Sequence, residues 1–413
     1  MVQESKQGCY SSKIQDIRMT MNRHESTINA FFSLVRAGLW EIFPVHDSST
    51  SEAAKPSAQL TIHGSEQVDW EDVYQLAEEQ SVVGLVTAGI NWFKVHGSRF
   101  TVPQEVLFQM IGEVQLIEQQ KLAMNKFVAK LIEMLRKEDI YALLIKGQGI
   151  AQCYERPLWR CCGDVDLFLS DEDYNRAKEL LAPIASEVEK EYIREKHLGM
   201  TIDGFVVELH GSLQSGLSLR VEKGLDEIKR VVFYEGKVRS WMNGSTHVFL
   251  PNADEDVVYV FTHMLQHFYK EGLGLKQVCD WCRLLWTYRR KIDINLLEKR
   301  LNKMGLKYEW KAFGAFAVEY LGMPSEAMPF YSPDNKWKRK ANKICAFILE
   351  VGNMGQNRDM SYFEKYPYFI RKVCSMGRRC SDLIRHARIF PLDSLRFFPR
   401  IMVNGVMSAV RGE

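Results

Sequence analysis

Asp164 and Asp166 stand two residues apart in DVDLFL, a run that alternates like a half-buried β-strand. Side chains two apart on a strand point to one face, so the two carboxylates are neighbours. Like charges a few ångströms apart repel, and a cation between them removes the conflict. Mg²⁺ suits such a pair, because it takes hard oxygen ligands and is commonly held by one or two carboxylates plus substrate phosphates. A third carboxylate, Glu208, lies in VVELH among Val206, Val207 and Leu209. A charge inside an apolar run is costly unless it is paired or coordinated. A sheet that sets Glu208 beside the two aspartates makes a three-carboxylate site for Mg²⁺ or Mn²⁺. Each motif alone is weak: a D-x-D pair also ends strands and caps helices, and Glu208 could sit on a solvated sheet face.

Upstream, Lys146-Gly147-Gln148-Gly149 follows the apolar run IYALLI and opens a short helix. Free N–H groups at a helix N-terminus bind phosphate, and glycine permits close approach. Lys146 and Arg160 supply two cations for a polyphosphate, and Gln148 can donate from its amide. The segment is neither a P-loop, lacking Gly-Lys-Ser/Thr, nor a dinucleotide fingerprint, lacking the third glycine. His210 shares the strand face of Glu208. It can orient that carboxylate or meet a second substrate, with a structural role at the strand end as the competing reading.

These residues need a scaffold, and the pattern supplies an α+β one: a small mixed β-sheet core embedded between predominantly helical N- and C-terminal regions. Residues 1–24 read as a flexible extension without the apolar core of a signal peptide, and 46–65, rich in Ser, Ala, Pro and Gly, as a loop. Helical periodicity covers much of 25–138; Ile117, Met124, Val128, Leu131 and Leu135 lie on one helix face. The α/β core spans 139–221. Strands are expected at 140–145, 164–169, 198–202 and 205–210, with a short helix at 147–154. Ser170 with Asp173 marks the start of a helix running to about 181. Asp203-Gly204 between two alternating runs predicts a two-residue type I′ hairpin. From about Glu222 the pattern is read as mostly helical, divided into a helical domain (222–325) and a basic helical C-terminal region (326–413).

The 413 residues carry 54 Lys plus Arg against 52 Asp plus Glu, a formal charge of +2. That balance gives no global case for nucleic acid. The basic stretch 369–411 could lie on an anionic membrane or bind RNA, though a solvated helical face is the favoured reading. Nine scattered cysteines suggest no disulfide framework and fit a reducing cytoplasm. Cys279 and Cys282 read as buried thiols. His263 and His267 have a metal-capable i, i+4 spacing without the glutamate that zinc proteases use as base; a helix facing the site or packing in the core is the favoured alternative. No apolar run approaches the roughly 20 residues of a membrane span.

Taken together, LLIKGQGIAQCYERPLWRCCGDVDLFL and VVELHGSL resemble the DNA polymerase β-like nucleotidyltransferase superfamily, and more closely the bacterial group known as uncharacterised nucleotidyltransferases. Many members have Gly-Ser or Gly-Gly where this chain has Gly147-Gln148. The resemblance extends to FFSLVRAGLW and to the helices from His263 to Asp280. It implies a metal-dependent transfer of a nucleoside monophosphate from an NTP to a hydroxyl of a small molecule, sugar or protein, with release of pyrophosphate. Asp164, Asp166 and Glu208 would hold Mg²⁺ or Mn²⁺, Glu208 alternatively acting as base. Lys146, Gly147, Gln148, Gly149 and Arg160 would bind the NTP. Two other readings remain open: a nucleotide-binding regulator or pseudoenzyme without turnover, and a helical interaction protein of a cell-surface polysaccharide pathway.

Overall fold

A computed structural model describes residues 25–41, 68–96, 100–357 and 368–411. The expected extension at 1–24 and loop at 46–65 lie outside the described residues. Three helices, α1 (Glu25–Leu39), α2 (Trp70–Glu79) and α3 (Val83–Val95), lead into the 34-residue α4 (Gln104–Lys137). The core then runs β1 (Ala142–Ile145), α5 (Gly147–Ala151), β2 (Asp164–Leu169), α6 (Asp171–Leu181), β3 (Glu187–Val188), β4 (His197–Ile202), β5 (Phe205–His210), α7 (Leu219–Tyr234), β6 (Val238–Asn243) and β7 (Thr246–Pro251). The remaining helices are α8 (Ala253–Lys270), α9 (Leu275–Tyr288), α10 (Ile294–Met304), α11 (Lys307–Leu321), α12 (Asn335–Val351), α13 (Tyr368–Ala387) and α14 (Pro391–Arg411).

The seven strands form one mixed sheet in the order β3-β4-β5-β2-β1-β7-β6. β2 is antiparallel to β1 and parallel to β5. The α+β class and the helices around a mixed sheet agree with the sequence reading. The chain beyond Glu222, read as mostly helical, also carries two strands that the sequence reading does not place: β6 and β7 pair as an antiparallel hairpin and β7 joins β1 in parallel. VRSWMN and THVFLP flank the two-residue loop Gly244-Ser245, where Gly244 takes φ +62°. In the expected hairpin, Asp203 and Gly204 have φ of +49° and +80°, the backbone a type I′ turn demands. Ser170 caps α6, its hydroxyl accepting from the Asp173 N–H at 3.0 Å.

The alternation along β2 explains how charge enters a buried strand. Val165, Leu167 and Leu169 face a layer built from Met124, Val128, Leu131 and Leu135 of α4 and Tyr174 of α6. Phe168 faces the opposite layer, which includes Phe261 and Leu265 of α8 and continues from Ala30 to Ile401. Each buried aliphatic side chain here contributes about 1.5–3 kcal/mol, so the register of β2 is strongly specified. Asp164 and Asp166 share the face of Phe168 and therefore point toward the α8 side. Among the described residues, no helix is long and apolar enough to cross a membrane.

Candidate active site

On that face β2 and β5 pair with Asp166 opposite Glu208. The β4–β5 hairpin sets His197 opposite His210. β1 ends beside Asp166, in the pairing Ile145 with Asp166. The chain then turns through Lys146 (φ +57°) and Gly147 (φ +40°) into α5. For a lysine that conformation is costly and needs support from its surroundings. It accompanies a short contact: Lys146 Nζ lies 2.7 Å from Asp166 Oδ1. His210 Nε2 meets the same oxygen at 2.9 Å. Glu208 Oε2 lies 3.3 Å from both His197 Nε2 and His210 Nε2.

The groups line a cavity of about 650 Å³ between the sheet and helices α8 and α9. The like charge of Asp166 is the largest influence on Asp164 and, with burial, raises its carboxyl above the ordinary range against the pull of Lys146. Burial works against a charge on Glu208, yet hydrogen bonds from His197 and His210 and the charge of Lys146 hold it well below the usual carboxylate range. Burial likewise opposes charge on His210 and Lys146, and the carboxylates outweigh it: Asp166 and Glu208 raise His210, and chiefly Asp166 raises Lys146. The cluster is a dense, partly compensated negative site.

Its donors fit a divalent cation. Asp164, Asp166 and Glu208 each offer an oxygen within 4.8 Å of the others, a hard set suited to Mg²⁺ or Mn²⁺. Glu208 also groups with the imidazoles of His197 and His210 within the same span.

The structure does not bring every residue marked in the sequence to this place. Lys146, Gly147, Arg160, Asp164, Asp166, Glu208 and His210 line the cavity; Gln148 and Gly149 do not. Gln148 is 2% exposed and turns its amide nitrogen onto Met124 Sδ of α4. Gly149 packs so closely on β7 that a Cβ would lie 2.8 Å from Leu250 Cδ2. Arg160 is engaged in a buried bidentate pair, with Nε and Nη2 2.7 and 2.6 Å from the oxygens of Asp280. Its Nη1 is buried and has no hydrogen-bond partner among the described residues. The Tyr154 hydroxyl donates to the same aspartate at 2.7 Å. Cys279 and Cys282 are buried free thiols.

Four residues on the cavity wall, His197, Asp280, His263 and His267, are not among the site residues read from the sequence. His197 was derivable: counting back from the Asp203-Gly204 turn pairs 197 with 210. Asp280 gave no local signal, since its partner lies 120 residues away. His263 and His267 were noted for their spacing, but nothing local shows that α8 packs over β2 and β5.

Fold and cavity define a class: an α+β protein with a carboxylate-rich pocket suited to a divalent cation. The family model described as uncharacterised nucleotidyltransferase matches residues 66–322, from just before α2 to just past α11, and the chain belongs to that family. No curated protein and no solved structure matches the chain.

Proposed function

We propose that the protein transfers a nucleoside monophosphate from an NTP to a hydroxyl acceptor, in a reaction dependent on Mg²⁺ or Mn²⁺. The observation that carries this reading is the convergence of Asp164, Asp166 and Glu208 from two parallel strands onto one cavity, in a chain of a nucleotidyltransferase family. A divalent cation held by these carboxylates would supply positive charge to the phosphates of the NTP. Lys146, Gly147 and Arg160 line the same space, and their N–H groups are suited to the remaining phosphate oxygens. His210 braces Asp166 and Glu208 at once and fixes their rotamers. The acceptor oxygen attacks the α-phosphorus as pyrophosphate departs. Positioning and electrostatics do most of the work in such a displacement.

The test is incubation of the purified protein with each α-labelled NTP, Mg²⁺ or Mn²⁺, and a cell extract. Label transferred to a protein, sugar or small molecule, with pyrophosphate released, is the expected result and identifies the acceptor class. Metal-dependent NTP binding with no pyrophosphate release under any of these conditions would instead favour a regulator without turnover. Absence of NTP binding would sink both.

A further inference from the structure

Across the cavity from the carboxylates, α8 and its cap present a ladder. Tyr259, His263, His267 and Glu271 follow at intervals of four residues, the spacing that keeps side chains on one helix face. All four line the cavity. The last three are joined: His267 Nδ1 is 2.8 Å from Glu271 Oε2, and His267 Nε2 is 3.0 Å from His263 Nε2. An ionised carboxylate only accepts hydrogen bonds, so Glu271 takes the Nδ1–H of His267. With one proton on each ring, His267 Nε2 then accepts and His263 donates its Nε2–H. The remaining nitrogen, His263 Nδ1, carries a lone pair and has no hydrogen-bond partner among the described residues. The Tyr259 ring stacks on the same imidazole at 6.0 Å.

We infer that His263 accepts the proton of the attacking hydroxyl, oriented through its other nitrogen by His267 and Glu271. This rests on the nucleotidyl-transfer reading above and names the base for that reaction. Glu208, the obvious carboxylate alternative, is poorly suited. Its Oε2 already meets two imidazoles, and it belongs to the cation-binding set. Lys146, Glu208 and His210 from the sheet and His267 on its own helix act on His263, and Lys276 and Asp280 of α9 line the same cavity. Burial, then the charges of Lys146, His267 and His210, push its pKa well down, with Glu208 opposing. The ring is therefore neutral, which leaves the Nδ1 lone pair open to a proton donor, and the carboxylate of Glu208 is the charge that favours its protonation.

In the step itself, the acceptor O–H gives its proton to His263 Nδ1 while its oxygen bonds to the α-phosphorus. The bond from that phosphorus to the bridging oxygen of the β-phosphate breaks, and the oxygen leaves with the electron pair as part of pyrophosphate. The imidazolium afterwards releases its proton to water. His267 and Glu271 are positioning residues: they touch no reactant and act by holding one tautomer and one ring orientation.

The experiment uses the full chain, with pyrophosphate release followed from the best NTP, Mn²⁺ and a cell extract as acceptor source. His263→Ala is expected to lower kcat by roughly 100-fold or more at little cost in NTP KM, and added imidazole should restore part of the rate. Glu271→Gln should lower kcat by about 10-fold with KM unchanged, and Glu271→Asp should recover most of it. His263→Gln checks the same point should the alanine variant fold poorly. A His263 variant with wild-type kcat, or one whose loss lies wholly in KM and ignores imidazole, overturns the inference while leaving nucleotidyl transfer intact. A wild-type protein that releases no pyrophosphate overturns the transfer reading and takes this inference with it.

Discussion

Asp166 is 1% exposed and is met at one oxygen by both Lys146 and His210. Replacing it with asparagine keeps the shape and removes the charge that those two cations share. Asp166→Asn is therefore expected to lower nucleotide turnover by about 100-fold or more, the scale on which a preorganised electrostatic contact in a closed site is felt. The far-UV circular dichroism should be unchanged. Wild-type turnover in that variant would remove Asp166 from the metal set. At this scale much was legible. Carboxylates in apolar strand runs stand out because burial makes them expensive. Glycine-rich junctions are more ambiguous: Lys146 and Gln148 are two apart, yet one faces the cavity and the other packs on Met124. Lys146 stands just before α5 and Gln148 within it, and where the helix begins is not written in the residue types.

Elements place these residues through a few local devices, each with a measurable worth. Ser170 holds the start of α6, immediately after β2, by one side-chain hydrogen bond to Asp173. Ser170→Ala should cost about 1 kcal/mol in urea unfolding and leave turnover near wild type. The pair between Arg160 and Asp280 is of another kind, since it ties the segment before β2 to α9 in the interior. Asp280→Ala leaves a buried guanidinium without its partner and the Tyr154 hydroxyl without its acceptor. A loss of about 3–5 kcal/mol follows, read as a lowered urea midpoint at an unchanged slope. A loss well under 1 kcal/mol would mean that water replaces the carboxylate and that the interior there is open. The strands on either side of Asp203-Gly204 were legible because an Asp-Gly turn forces one register. The β6–β7 hairpin carries the same kind of signal in Gly244-Ser245, but Trp241 and Met242 blur the alternation and the surrounding helices mask it. Pairings between elements far apart in the chain, such as β1 with β7, have no local signal at all.

At the scale of the whole molecule, one apolar layer links α1 near the start to α14 near the end, and a buried acid records how tightly the last helix is drawn in. Glu309 of α11 is fully buried, with the carboxyl of Asp393 on α14 as its side-chain neighbour. Burial first, and then the like charge of Asp393 on α14, push its pKa up to about 8. An acid whose folded pKa lies above its unfolded value binds its proton more tightly in the folded state. Its contribution to stability is complete below the unfolded pKa and drains away as pH rises through the folded one. The window here runs from the unperturbed 4.5 to about 8. Glutamine keeps the volume and cannot ionise, so Glu309→Gln should match the wild type in stability near pH 4. It should exceed it by at least about 1 kcal/mol at pH 8.5, with thermal midpoints across that range as the measurement. Arg396 lies close enough to oppose the shift, so removing it should widen the gap between wild type and Glu309→Gln. A wild-type midpoint that stays level from pH 5 to pH 9, and a variant that merely parallels it, would show that Glu309 ionises freely and that α14 does not seal it from water.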